Sequence, residues 1–351
     1  MKSSFKLNTH LLKRKVPNLT VAAKRAGLRP ATVSNLTTGK IPISRAEVKT
    51  LVALSQIADC TLDELIIIED ETEKIETGIK TIDLFAPLVR GGTAGLVARQ
   101  DMGQLVLLGE LFYRMRKLHF YTILFMPNTN IQGLNDVIKN ADYFSSTTND
   151  TFKKLNEINL NQDFIIGVDR SMVVSGDLTN LKERIRKETD RSITFVIVDI
   201  TGQSVDDDIP FGPLESYWSF DIDLVTRRMY PGINPISSTS SLIESEYLDA
   251  DHLSVVRPAK KLLRRYRELT FIVNTFGFNK LIERDQEVYT RGLRLEAFLT
   301  QPFYIAEEVT AKAGEWVSLQ ETVKAVQSIL DGKTDNTKVE DLMYIGALNP
   351  K

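Results

Sequence analysis

One stretch constrains the fold of this chain more than any other: Gly91-Gly-Thr-Ala-Gly-Leu-Val-Ala98-Arg-Gln-Asp-Met-Gly103-Gln104-Leu105-Val-Leu-Leu-Gly-Glu-Leu111. It reads as a buried strand, a loop and an apolar helix. Similar apolar runs recur at 94–98, 120–126, 164–168 and 193–200, with helical patterns between them. Continuous apolar strands separated by helices predict a parallel sheet covered on both faces. Residues 252–348 read as mostly helical, with amphipathic stretches at 252–276, 287–300 and 319–330.

A strand, loop and helix in this order is the setting of the phosphate-binding pattern G-x-x-x-x-G-K-[ST]. Only Gly103 of that pattern stands here. Ala98 takes the place of the first Gly, Gln104 that of the Lys, and Leu105 that of the Mg²⁺-binding hydroxyl residue. Arg99, Gln100 and Asp101 occupy a loop whose backbone N–H groups need small neighbours to reach a phosphate. The frame of a nucleotide site is kept and its chemistry is gone.

Charge is unevenly spread. Residues 1–69 carry eleven Lys and Arg against five Asp and Glu, while the remainder carries 33 against 41. A basic head on an acidic body points to a polyanionic partner for the head. The single Cys60 rules out an internal disulfide and fits a reducing compartment. No apolar run is long enough to cross a membrane, and the first residues lack a signal peptide's apolar core. The expectation is a cytoplasmic, nucleoid-associated protein without a membrane partner.

The head reads as helices at 8–15, 20–26, 30–37, 44–57 and 61–66. Thr20 opens the second, Gly27 closes it as a C′ glycine, and Pro30 suits the first position of the third. Val33 and Leu36 share an inward face; Arg29, Thr32, Asn35 and Thr38 face outward. Residues 19–28, 32–36, 39–42 and 51–65 resemble the lambda-repressor-like helix-turn-helix family of DNA-binding proteins. That resemblance implies that Pro30–Thr37 enters the major groove of double-stranded DNA. Arg29 and Asn35 suit base edges; Thr20, Thr32, Thr38 and Lys40 suit phosphates, and Ala31 shares the DNA-facing turn. A helical head that binds protein through the same polar residues is the bland alternative. Residues 67–77 are acidic and read as a solvated linker, their isoleucines extending a helix or starting a strand.

The body carries a second resemblance. Glu76-Thr-Gly-Ile-Lys-Thr-Ile-Asp-Leu-Phe-Ala-Pro-Leu-Val-Arg-Gly-Gly92, Tyr230-Pro-Gly-Ile-Asn-Pro-Ile-Ser-Ser-Thr-Ser240, Lys261-Leu-Leu-Arg-Arg-Tyr266, Phe298-Leu-Thr-Gln-Pro-Phe303 and Trp316-Val-Ser-Leu319 keep their order over 76–348. Together they resemble the catalytic beta subunit of rotary ATP synthase, with the helical head in place of its N-terminal barrel. The resemblance implies a RecA-like, P-loop NTPase-fold domain over 78–250 and a helical domain over 251–351. With the all-α head over 1–66, the expected fold class is multidomain.

It also marks departures. Thr129 and Asn130 align with the family's water-orienting Glu and its neighbouring Arg, and Ser241 with a further Arg. Lys280 and Arg284 remove the acidity of the family's rotor contact, so no rotor partner is expected. Asp169 aligns with the Mg²⁺-associated acid, or simply caps the next element. Tyr230, Phe303 and Ala306 align with the adenine pocket, though Val309 replaces its second aromatic. Tyr230 and Phe303 as plain core aromatics are the alternative. No catalytic residue, metal ligand or cofactor is expected, although weak adenine binding stays open. His10, His119 and His252 are isolated, and Asp206, Asp207 and Asp208 read as a solvated turn.

The expected function is a DNA-binding transcriptional regulator on a catalytically inactive body that forms a homo-oligomer, by resemblance a six-membered ring. A nucleotide-gated ATPase switch and a nucleoid-organising DNA bridge are the other two classes.

Overall fold

A computed structural model describes residues 3–16, 18–38, 41, 43–70, 73–127, 131–158, 162–188, 192–207, 210–244 and 248–348. The chain divides into two compact units, Met1–Glu73 and Lys74–Lys351.

The first unit runs β1 (Ser3–Leu7), α1 (Thr9–Lys15), α2 (Leu19–Arg25), α3 (Pro30–Thr37), α4 (Val48–Ile57), α5 (Leu62–Leu65) and β2 (Ile66–Asp70). Its core joins Leu12, Ala23, Val33, Leu51, Leu54 and Leu65. Thr61 caps α5 through its hydroxyl, and Glu64 returns a bond to the Thr61 N–H, closing a capping box. Two expectations are corrected here. The head expected as all-α carries a two-stranded sheet: the isoleucines from residue 67 start a strand, one of the two readings open for them, within β2, paired antiparallel with β1 in the register Leu7↔Ile66 to Ser3↔Asp70. An isoleucine run satisfies its backbone by pairing, which a linker leaves to water. The helix expected at 44–57 is a short turn, Ile43–Arg45, followed by α4.

The second unit begins with β3 (Lys74–Ile75), α6 (Lys80–Phe85), β4 (Leu88–Val89), β5 (Thr93–Val97) and α7 (Gln104–Lys117). It continues through β6 (Tyr121–Phe125), α8 (Leu134–Asn140), β7 (Tyr143–Ser145), α9 (Thr148–Glu157), β8 (Phe164–Asp169), α10 (Arg170–Val174), α11 (Asp177–Glu188) and β9 (Ile193–Val198). Then come β10 (Ser216–Ser219), α12 (Ile222–Thr226), β11 (Thr239–Ser240) and α13 (Ser241–Glu244). The last helices are α14 (Ala250–Phe276), α15 (Glu283–Phe298), α16 (Glu307–Thr310) and α17 (Leu319–Leu330).

A seven-stranded sheet has the order β11-β10-β5-β9-β8-β6-β7 and is parallel except at β11. Strand alternation sorts its side chains. Ile193, Phe195 and Ile197 of β9 pack with Phe152 of α9 and with Leu178 and Leu181 of α11. Val196 and Val198 point the other way, to Leu107, Leu108 and Leu111 of α7. A third core gathers Leu84 and Phe85 of α6 with Val255, Leu263, Leu295, Phe298 and Ile329 of the last helices. The division expected between 250 and 251 therefore lies inside one compact unit.

Buried charges fasten α6 and α7 to the C-terminal segment. The Arg114 and Glu110 side chains, both fully buried, pair at 2.7 Å. Arg114 also donates to the Gly78 and Glu315 carbonyls at 2.8 and 2.9 Å, while Glu110 accepts from the N–H groups of Tyr304 and Ile305. Lys80 donates to the carbonyls of Phe298 and Ile345, and burial lowers its pKa to about 7. Asp83 accepts from Thr77 and Gly78, yet burial outweighs those bonds and raises its pKa to about 7.

Candidate functional site

In an open parallel sheet, ligands bind beyond the carboxyl ends of the strands. Three such ends meet here. Val97 leads into the loop 98–103, Asp169 closes β8, and Asp199 follows β9. The loop turns into α7 through left-handed Asp101 (φ 62°) and Gly103 (φ 95°). Gly103 thus serves the turn, a conformation that favours glycine.

Gln104 occupies the phosphate lysine's place and is 4% exposed. Its amide nitrogen points to the carbonyls of Asp199 and Arg99, at 3.3 and 3.4 Å, and its Oε1 has no protein partner. The side chain is turned onto the protein's own backbone. Leu105 packs, partly buried, against the sheet's core.

The turn after β9 covers the loop from the other side. A Cβ on Gly202, itself at φ 74°, would stand 2.3 Å from the Gln100 nitrogen and 2.9 Å from the Arg99 carbonyl carbon. Gly202 therefore packs so closely against the Arg99–Gln100 peptide that no side chain fits between them, in a loop where a phosphate cradle needs open backbone. Asp199 anchors this turn, accepting from the Thr201 N–H and hydroxyl at 2.9 and 2.7 Å and from the Ser204 N–H. Burial pushes the Asp199 carboxyl up, but the bonds from Thr201 and Ser204 outweigh it and hold the carboxyl below the usual carboxylate range. Composition gave no hint of this lid. The only signal was the turn-forming Asp-Ile-Thr-Gly order itself.

Asp169 caps α10, accepting from the Ser171 N–H at 2.9 Å and from its hydroxyl, with the Ile200 N–H at 3.4 Å. Arg99 pairs with Asp206, and Arg170 with Asp207. Asp208, Thr129 and Asn130 lie outside the described residues. Among the described residues no group of three or more His, Cys, Asp and Glu is placed to hold a metal.

The adenine-pocket positions are not gathered on one open surface. Phe303 is 6% exposed and belongs to the sheet's core, with the Arg114 guanidinium 5.9 Å from its ring. Tyr230 is 40% exposed, and its N–H donates to the Tyr344 hydroxyl at 3.2 Å. Ala306 packs partly against the core, whereas Val309 is 90% exposed. The Glu110 bonds to Tyr304 and Ile305 fix this segment, a constraint that pattern reading missed.

In the first unit the residues expected to meet DNA are exposed or half-buried where they are described. Pro30 takes the first position of α3, and Val33 and Leu36 are buried beneath it. Arg29, Ala31 and Thr38 are exposed; Thr32 and Asn35 are half-buried on the flanks. Ser34, not singled out from the sequence, is exposed between Ala31 and Thr38. The Thr38 hydroxyl donates to the Ser34 carbonyl at 2.8 Å. Thr20 is exposed, but α2 starts one residue earlier, with Asn18 at the cap. Gly27 adopts φ 74° and closes α2, its N–H bonded to the Lys24 carbonyl. Lys40 lies outside the described residues.

No protein-family model matches the chain. No helix among the described residues is long and apolar enough to cross a membrane. Among solved structures the chain is similar to NeqB, described as a unique ATP synthase subunit from Nanoarcheaum equitans, with TM-score 0.55 and 18% identity. The match covers 74% of this chain and 76% of that one. At that identity the likeness is one of fold, in keeping with this chain's mixed α/β architecture around a mostly parallel sheet.

Proposed function

We propose that the chain is a DNA-binding transcriptional regulator. Its first unit is a helix-turn-helix head, and its body is an ATP-synthase-like scaffold that neither hydrolyses ATP nor holds the triphosphate. The observation that carries the reading is the outward face of α3. Arg29, Ala31, Ser34 and Thr38 are solvent-exposed while Val33 and Leu36 anchor the helix from below. The net positive charge of residues 1–69 supports it. A short helix with small and polar residues outward fits the major groove, where Arg suits guanine and Asn suits adenine.

The inactive body rests on three features. Gln104 supplies no cation and is turned inward, Leu105 supplies no hydroxyl, and Gly202 covers the loop's backbone. Phosphoryl transfer depends on positioning and charge stabilisation, both of which this arrangement lacks. A scaffold still has a use. One small head binds weakly at physiological salt, and joining several in a homo-oligomer raises affinity by ~10²–10⁴.

The test is duplex binding by the full chain across a salt series. Binding that weakens steeply with salt and is reduced by Arg29→Ala supports the reading. Equal indifference to all duplexes at low salt refutes it.

A further inference from the structure

From Arg29 to Thr38 the chain carries a single charge, that of Arg29. The exposed residues of this stretch are Arg29, Pro30, Ala31, Ser34 and Thr38. Its two last threonines turn their hydroxyls onto the helix itself. Thr38 donates to the Ser34 carbonyl at 2.8 Å, and Thr37 to the Val33 and Ser34 carbonyls at 3.0 Å each. A hydroxyl has one proton to give. Those bonds leave each threonine its lone pairs and its methyl group for an outside partner, and nothing to donate to a phosphate.

Carbon is what the first turn of α3 presents. Pro30 and Ala31 stand exposed beside Arg29, and neither side chain donates or accepts a hydrogen bond. One base-edge group in the major groove has the same character, the C5-methyl of thymine; the others that mark a base pair there are donors or acceptors. The first residues of a recognition helix are the ones that reach base edges.

We propose that α3 chooses its sequence by carbon contact: Ala31 meets the C5-methyl of a thymine, and Thr38 gives the duplex no hydrogen bond. The inference rests on the reading of α3 as the DNA-facing helix and adds the chemistry by which that helix selects. Arg29 is then the hydrogen-bonding neighbour of an apolar reader. Burying one methyl group in such a contact is worth about fourfold in affinity. The contact carries no charge, so its share of the binding survives added salt, unlike the phosphate contacts.

The experiment uses the full chain and a duplex that the full chain itself enriches from a random pool. A second duplex carries deoxyuridine for every thymine, which removes the methyl groups and keeps the pairing. The uridine duplex should bind about fourfold more weakly or worse, in the same ratio across a salt series. Restoring thymine at one position should recover most of the loss. Ala31→Gly should bind both duplexes alike, and Ala31→Ser should repeat that result without glycine's cost to the helix. Arg29→Ala should weaken both and keep their ratio. Thr38→Val, which keeps a methyl and drops the hydroxyl, should match the wild type on both. Equal affinity for the two duplexes overturns the proposal and leaves DNA binding standing. So does a uridine penalty that persists in Ala31→Gly and Ala31→Ser, or a loss on Thr38→Val with an unchanged melting curve. Binding to no duplex at all overturns both the proposal and the reading beneath it.

Discussion

The α3 face and the loop before α7 hold similar residue types and treat them in opposite ways. On α3 and its caps Arg29, Ser34 and Thr38 are exposed to water, and Thr32 and Asn35 are half-buried on the flanks. At the loop, Gln104, Asp169 and Asp199 are all buried and turned toward the protein's own backbone. A buried polar group must be satisfied from within, so it is no longer free for a ligand. An exposed one keeps that capacity. The contrast teaches that surviving motif positions say less than the direction in which their polar atoms point.

That contrast can be broken from either side, and the largest effect is expected at Gly202. Gly202→Val adds a side chain where a Cβ already meets backbone at 2.3 Å, in a left-handed conformation. It should destabilise the second unit by roughly 3 kcal/mol or more, read by denaturant unfolding. Duplex affinity of the folded fraction should not change. A neutral substitution would show that the turn does not close over the loop.

Next in size are changes on the head. Arg29→Ala or Asn35→Ala should each cost about 1–3 kcal/mol of duplex binding and relax base preference at one position. Arg29→Ala should leave the melting temperature unmoved, because its side chain is exposed. Equal losses on every duplex sequence would reassign the residue to phosphate contact.

Several features of this comparison were legible in the sequence, and the reasons differ. The four apolar runs became β5, β6, β8 and β9 within about two residues, because fully buried parallel strands are continuous in apolar residues. β7 and β10 were missed: Tyr143–Ser145 and Ser216–Ser219 are short and mix polar with aromatic residues. The β1–β2 pair was missed because its partners lie some sixty residues apart, and local pattern does not show who pairs with whom. At the candidate site, the absent Lys and hydroxyl could be read directly. The covering turn at Gly202 could not, since it depends on two loops meeting across the sheet edge.

Asp83 gives a smaller, pH-dependent prediction. Its pKa in the folded chain is raised from 3.8 to about 7, so the folded state binds that proton more tightly than the unfolded state. Its contribution to stability is therefore full below 3.8 and is lost as pH rises toward 7. Asp83→Asn should remove this slope, and the difference between the two unfolding profiles over that window isolates it. Parallel profiles would mean that Asp83 keeps an ordinary carboxylate pKa.

The smallest effect is expected at Gln104. Gln104→Met gives up two long hydrogen bonds and an Oε1 that has no protein partner. Removing a buried acceptor without a partner offsets the lost bonds, so stability should change by less than about 1 kcal/mol. A large loss would reveal a partner for Oε1, and with it a more polar loop interior.

The central claim is that binding capacity lies on α3 and not at the loop before α7. One measurement addresses it most directly: paired titrations of the same full-chain preparation with labelled duplex DNA and with Mg-ATP. The account predicts salt-sensitive duplex binding that Arg29→Ala weakens by about 1–3 kcal/mol, and no Mg²⁺-dependent ATP binding in the micromolar range. Tight Mg-ATP binding together with indifference to duplex DNA at low salt would contradict it.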